Sequence, residues 1–418
     1  MIALHFFKTL TILLLVVVIC IMANDDTAAD DDPFNTAEFD SVITKVNTVP
    51  DQSSRTFLGG LSFASEGTST YLLESNKSGT DLRFFGKPFA KLSRDDIGAL
   101  FLSVSFNYFL LASSNSELLK RYYKVQKADP SNVELKLSEF HLSFDINKTV
   151  FIRIGNQLIS WGASYFWSPE DFINRQKNQL TALSAVDIRS GKPGIRIHIP
   201  LEKSNLFFFT DFSMVTTNGS VNSLLENIAQ AWRFDATIAN VNIGTVGYIS
   251  ADGPLQLGLD ATGNLLTADV YGELAFTFNT NSQHTIPAFS AGFSKVFGEE
   301  KTWTFRSEVY YNDTGFGDTA ISSLRADEFT PLYSGRFYVF SELTTSKLFT
   351  SMISSSLIYY MNCFDHSFSS TLLFTFDFPK VLPFTIYLRT NGGRLDREFT
   401  GTFADRSLTA GLRIRGDF

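Results

Sequence analysis

From residue 56 onward the chain alternates apolar and polar positions in short runs. Leu100, Leu102, Val104, Phe106, Tyr108 and Leu110 make one row, and Phe140, Leu142, Phe144 and Ile146 another. Val150, Ile152 and Ile154 oppose Arg153 and Gln157; Ile195, Ile197, Ile199 and Leu201 oppose Arg196 and His198. Further along, Val270, Leu274, Phe276 and Phe278 oppose Asp269, Glu273 and Thr277, while Trp303, Phe305, Val309 and Tyr311 oppose Arg306 and Glu308. Successive side chains of a strand point to opposite faces, so each run predicts a strand with one greasy and one polar face. The final run, residues 407–418, sets Leu408, Ala410, Leu412, Ile414, Gly416 and Phe418 against Thr409, Gly411, Arg413, Arg415 and Asp417.

Charge recurs on one face of run after run, which a dry sandwich core does not tolerate and a water-filled or hydrogen-bonded interior does. The fold expected is therefore all-β, a transmembrane antiparallel β-barrel with its apolar face turned to lipid and its strands following one another as a closed meander. Short connections fall at residues 147–148, 202–205, 298–301, 345–346 and 379–383; long ones at 112–132, 163–193, 217–230, 312–332 and 391–406. In such barrels short turns gather at the periplasmic end and long loops at the other. Keeping that alternation in step requires three strands within residues 242–279, with turns near 251–254 and 262–264. The count is then about 18 strands, an even number, with 16 as the alternative because residues 255–261 are weakly patterned and the first hairpin contains Gly59, Gly60 and Pro88. A barrel this wide leaves a lumen that its own side chains cannot fill.

The tail ending in Phe418 resembles the C-terminal signature of bacterial outer-membrane β-barrels, and the resemblance implies that Phe418 acts as an assembly signal read by the barrel-assembly machinery. A second stretch runs from Arg153 through Gly155, Gln157, Trp161 and Gly162 to Trp167, Pro169, Asp171 and Asn174. It resembles alginate-export-like and capsule-assembly barrels, in which a Gly-x-Gln strand leads to Trp-Gly and a Pro-Asp/Asn loop. The resemblance implies that Arg153 and Gln157 face the lumen and that Trp161, Trp167, Asp171 and Asn174 belong to an inward or capping constriction loop. The other reading places the two tryptophans in the extracellular aromatic girdle, with Asp171 and Asn174 capping a turn. The alternation adds Arg196, His198, Arg233, Asp235, Asp269, Glu273, Lys295, Arg306, Glu308, Arg336, Asp377, Arg389, Arg413 and Arg415 to the expected lumen charges, a modest basic excess.

Composition agrees. The 418 residues are 44% hydrophobic, yet mean hydropathy is only +0.03, so the apolar content is dispersed rather than gathered into membrane helices. Forty-two Phe and fourteen Tyr against five Met suit pleated surfaces and interfacial girdles. Residues 1–23, with Lys8 ahead of a short apolar run, read as a secretory leader. Residues 24–55 read as a flexible acidic periplasmic lead-in, and residues 56–418 as the barrel. Ile19 before Cys20 does not fit a lipobox. With the leader removed Cys363 stands alone, so no intramolecular disulfide is expected. Seven acidic residues against Lys8 give residues 1–40 a charge of -6, which leaves -2 of the total -8 for the rest and no electrostatic case for nucleic acid.

Candidate chemistry is thin. The five histidines are scattered, no metal-ligand spacing appears, and no cofactor is expected. His198 and Asp211 lie on neighbouring runs, but no Gly-x-Ser-x-Gly accompanies them, so the expectation is not an enzyme. Width and a wet interior point to a channel passing small solutes across the outer membrane. The alternatives are a surface adhesin or structural barrel working through its loops, for which residues 113–129 carry a basic-aromatic stretch, and a transporter of hydrophobic solutes, which the polar inner faces disfavour.

Overall fold

In the computed structural model, residues 55–94, 97–111, 133–174, 190–213, 228–250, 253–279, 284–298, 302–324, 332–401 and 405–418 are described. The leader, residues 24–54 of the lead-in and the whole of loop 112–132, with the basic-aromatic stretch 113–129, lie outside them.

Eighteen strands follow one another: β1 (Arg55–Leu72), β2 (Lys77–Arg94), β3 (Gly98–Leu111), β4 (Val133–Ile146), β5 (Val150–Gln157), β6 (Lys192–Leu201), β7 (Ser204–Asp211), β8 (Ala229–Ile238), β9 (Val241–Ser250), β10 (Leu255–Leu265), β11 (Ala268–Asn279), β12 (His284–Phe297), β13 (Trp303–Asn312), β14 (Phe337–Thr345), β15 (Ile353–Asn362), β16 (Ser367–Phe376), β17 (Phe384–Gly392) and β18 (Ser407–Asp417). Each pairs antiparallel with its sequence neighbour, and β1 pairs with β18, so one sheet closes on itself and no edge is left. The seam runs from Ser62 opposite Asp417 to Leu72 opposite Ser407. Beyond it, Leu61 and Phe418 exchange backbone hydrogen bonds of 2.8 and 3.0 Å, and the Phe418 ring stacks on Phe63 at 5.8 Å.

Leu102, Leu142, Ile154, Phe208, Trp232, Leu259, Leu274, Leu357, Leu372, Leu388 and Leu412 stay exposed on the outer face. Soluble proteins do not leave an apolar surface of this extent in water, and lipid is the solvent that accepts it. The long connections gather at one end of the barrel, which also carries four-residue connections between β1 and β2, β9 and β10, β11 and β12, and β15 and β16; the other end carries only connections of seven residues or fewer.

Two local expectations are corrected. The turn after β10 is at Leu266 and Thr267, not at 262–264. Both residues take positive φ, 49° and 67°, while Gly263 and Asn264 continue the strand, with Asn264 Nδ2 donating across it to Asp269 at 3.1 Å. Lys295 faces outward: it pairs with Phe305, whereas its neighbour Ser294 pairs with lumen-facing Arg306.

Candidate functional site: an infolded loop and its wall

At the end of β5 the chain turns into the barrel instead of continuing above it. Leu158 N–H donates to Glu139 on β4 at 3.0 Å, and residues 158–174 then cross the interior. Gly162 has φ +123°, and a Cβ there would sit 2.6 Å from Glu273 Oε1, so only glycine lets the backbone pass this close to the wall. Leu158, Ile159, Trp161, Phe166, Trp167, Phe172 and Ile173 are all buried.

Two aromatic contacts seat the loop. Trp161, Phe172 and Ile173 pack with Phe207, Phe209, Ala231, Val246 and Ala275 on β7–β11. Trp167, wholly buried, stacks on Tyr310 at 5.4 Å and lies beside Tyr338 and Phe166, while Phe166 stacks on Phe340 at 4.3 Å. An aromatic buried this completely contributes about 3–5 kcal/mol when truncated.

Carboxylates fix the backbone between these anchors. Glu308 on β13 accepts the N–H groups of Tyr165, Phe166 and Trp167 at 3.1, 3.0 and 2.7 Å. Glu273 on β11 accepts those of Ser164 at 2.6 Å and Glu170 at 3.4 Å. Successive backbone amides aimed at one carboxylate form an anion-binding nest, inverted here so that the wall supplies the anion. From the loop, Glu170 pairs with Arg233 on β8 at 2.9 Å, and the same guanidinium reaches Asp235 at 2.7 Å and Asp260 at 2.9 Å. Asp171 accepts from Asn174 N–H at 3.2 Å, and Asn174 Nδ2 donates to Ile159 O at 2.7 Å, tying the two arms of the loop together.

Above the loop sits a latch. Trp167 Nε1 donates to Leu332 O at 2.8 Å, and Leu332 N–H donates to Glu398 at 2.5 Å. Glu398 opens the short helix α1 (Glu398–Gly401) between β17 and β18 and also accepts from Tyr338 at 2.6 Å and Asn362 at 2.9 Å. Burial, with the nearby Asp365 charge, pushes its carboxyl up from the ordinary 4.5 to about 7, although Tyr338, Leu332 and Asn362 donate to it.

The residues singled out from sequence are distributed as follows. Trp161 and Trp167 are inside the barrel, so the girdle reading is set aside for both, while Asp171 and Asn174 do cap the loop. Arg153, Gln157, Arg196, His198, Glu273, Arg306, Glu308, Arg389, Arg413 and Arg415 all sit at inward positions of their strands. Glu273 and Glu308 do not line open space: each is 1% exposed beneath the loop, which corrects their assignment as lining. Gln157 is covered as well, donating to Arg153 O and Gly194 O. His198 stacks on Phe207 at 4.2 Å and bonds Asn205 at 3.0 Å, whereas Asp211 accepts from Ser213 N–H at 2.8 Å, so no His198–Asp211 dyad forms. Among the described residues no group of three or more His, Cys, Asp or Glu is placed to hold a metal.

Sequence periodicity missed Glu170, Glu66 and Glu398. Glu170 and Glu398 fall in loops without a period, and Glu66 lies in a Ser/Thr/Gly-rich strand; on that strand it binds Arg413 at 2.8 Å and accepts from Tyr387 at 2.6 Å. The resulting field is lopsided. In mid-barrel the carboxylates Glu66, Asp81, Glu139, Glu170, Asp260, Glu273, Glu308 and Glu342 are buried against partners, while Arg83, Lys91, Arg196, Arg306 and Arg389 keep part of their surface exposed. Arg306 pairs with Glu342 at 3.0 Å and covers the Tyr165 ring at 4.4 Å.

No family model matches the sequence and no curated sequence does. The fold is similar to solved barrels. A BenF-like porin from Pseudomonas fluorescens superposes with a TM-score of 0.54 at 10% identity, covering 87% of this chain and 98% of that one. The outer membrane protein OpdK from Pseudomonas aeruginosa gives 0.51 at 10% identity over 86% and 98%, and OccK11 from the same organism 0.50 at 8% over 86% and 96%. At such identities the likeness is one of fold.

Proposed function

We propose that this chain is an outer-membrane channel through which small solutes diffuse, that residues 158–174 form its constriction, and that it favours small anions. The observation that carries the reading is the division of charge inside the barrel. The infolded loop and the wall arginines consume the mid-barrel carboxylates, while several cations keep exposed surface. A solute in transit therefore meets guanidinium and ammonium groups more than acids, and a ring of cations favours anions in a pore.

Several further features fit. The outer apolar band requires lipid, and the leader expected at residues 1–23 supplies export. One barrel of similar fold is described as a BenF-like porin, and OpdK has a structure with vanillate. Phe418, seated at the seam, is the element through which assembly machinery would read the tail. The barrel's work is passage rather than catalysis. Planar-bilayer recording with a salt gradient tests the reading: stable single-channel steps with a reversal potential on the anion side support it, and a cation-side potential or no conductance removes it.

A further inference from the structure

Outside the lumen the structure contains a groove unconnected with passage. It lies at the end of the barrel that carries the long connections, where the β1–β2 turn, β16, β17 and the β17–β18 connection meet. Its volume is about 540 Å³. Phe368 and Thr390 stand on the outer face of their strands, since their neighbours Ser367, Ser369 and Arg389 point inward. With half-exposed Leu73 they make an apolar floor. The Phe368 ring lies flat over Gly392, where a Cβ would meet it at 2.6 Å, so only glycine lets the ring settle here. Above the floor stand Arg394, Arg406 and His366.

The two guanidinium groups are held but not used up. Arg394 uses Nη1 on Asp318. Arg406 uses Nη1 on Glu74 at 3.1 Å and Nε on Gly393 O at 3.0 Å. Among the described residues neither Nη2 has a partner, and each side chain keeps about half of its surface exposed, 54% and 49%. An apolar floor at the end of a lipid-facing band, roofed by two oriented guanidinium groups with spare donors, is the environment of a lipid headgroup region. Arginine forks match the oxygens of a phosphate better than they match any neutral headgroup.

We infer that this rim groove binds the phosphate headgroup of an outer-leaflet lipid, with Arg394 and Arg406 on the phosphate and an acyl chain along Leu73, Phe368 and Thr390. The inference goes beyond the channel reading and rests only on its membrane-spanning part.

The test uses the full mature protein, folded in non-ionic detergent, with retained lipid measured by native mass spectrometry. The probes are dipalmitoyl phosphatidic acid, dipalmitoyl phosphatidylcholine and inorganic phosphate. The wild type should retain phosphatidic acid about tenfold more tightly than phosphatidylcholine, and millimolar inorganic phosphate should not displace it. Arg394→Gln with Arg406→Gln should abolish that preference. Thr390→Trp, which fills the floor and touches no ion pair, should reduce retention of both lipids. Equal retention of the two lipids by the wild type, an undiminished preference in the double variant, or full displacement by inorganic phosphate overturns the proposal; the last result would mark a soluble-anion site. Conductance of the same preparations separates the two readings: a barrel that conducts without lipid preference loses only the groove, and one that binds lipid without conducting loses only the channel.

Discussion

Glu308 shows why a charged residue on an inner barrel face need not serve transport. Three loop amides converge on it, and removing a buried acceptor strands all three donors, at a local cost of about 3–5 kcal/mol. Glu308→Ala should therefore accelerate hydrogen exchange at Tyr165, Phe166 and Trp167 by orders of magnitude while the strands stay protected, and unchanged exchange there would deny the clamp. Glu398 gives a pH-dependent counterpart. Because its folded value is raised, the protonated form is the one the fold favours: its contribution is complete below the ordinary 4.5 and is lost as pH rises through about 7. A shift of that size corresponds to roughly 3 kcal/mol. Protection of the Leu332 and Gly335 amides, corrected for intrinsic rate, should fall as pH rises from 4.5 to about 7 in the wild type and stay level in Glu398→Gln; the same fall in both would assign the effect to another group. The sequence placed Glu273 and Glu308 on the correct face, since period two fixes a face. It did not show what covers them, because the covering loop has no period.

At the scale of elements, the strands were legible because lipid and lumen demand opposite side chains and so write the period into each run. Turns were less so. Gly263 and Asn264 are a strong turn signal in isolation, yet cross-strand pairing of Asn264 with Asp269 carries the strand past them, and two ordinary residues make the reversal. Trp161 and Trp167 were ambiguous for a different reason: an interfacial girdle and a lumen cluster select the same residue type. The last strand permits a test. Phe418 contributes one stacked ring and two backbone bonds at the seam, a few kcal/mol against a sheet closed by eighteen strands. Phe418→Ser should therefore impair delivery to the membrane in cells far more than the stability of barrel refolded in detergent; a large loss of refolded stability with normal surface levels would reverse the assignment.

For the whole molecule, closure means that every strand is held on both sides, so the sheet should survive loop surgery. The mature protein should give a β-type far-ultraviolet spectrum in detergent and a heat-modifiable band, and a helical spectrum or a detergent-free soluble monomer would dismantle the barrel account. The central claim is that residues 158–174 set the passage, and the most direct measurement is single-channel recording of the intact protein beside a variant in which residues 162–190 are replaced by a short Gly/Ser linker. The intact barrel should conduct with an anion preference. The variant should conduct several-fold more, and its reversal potential should move toward cations, because excision uncovers Glu273 and Glu308. Equal conductance and unchanged selectivity in the two proteins, with the sheet intact in both, would contradict the account.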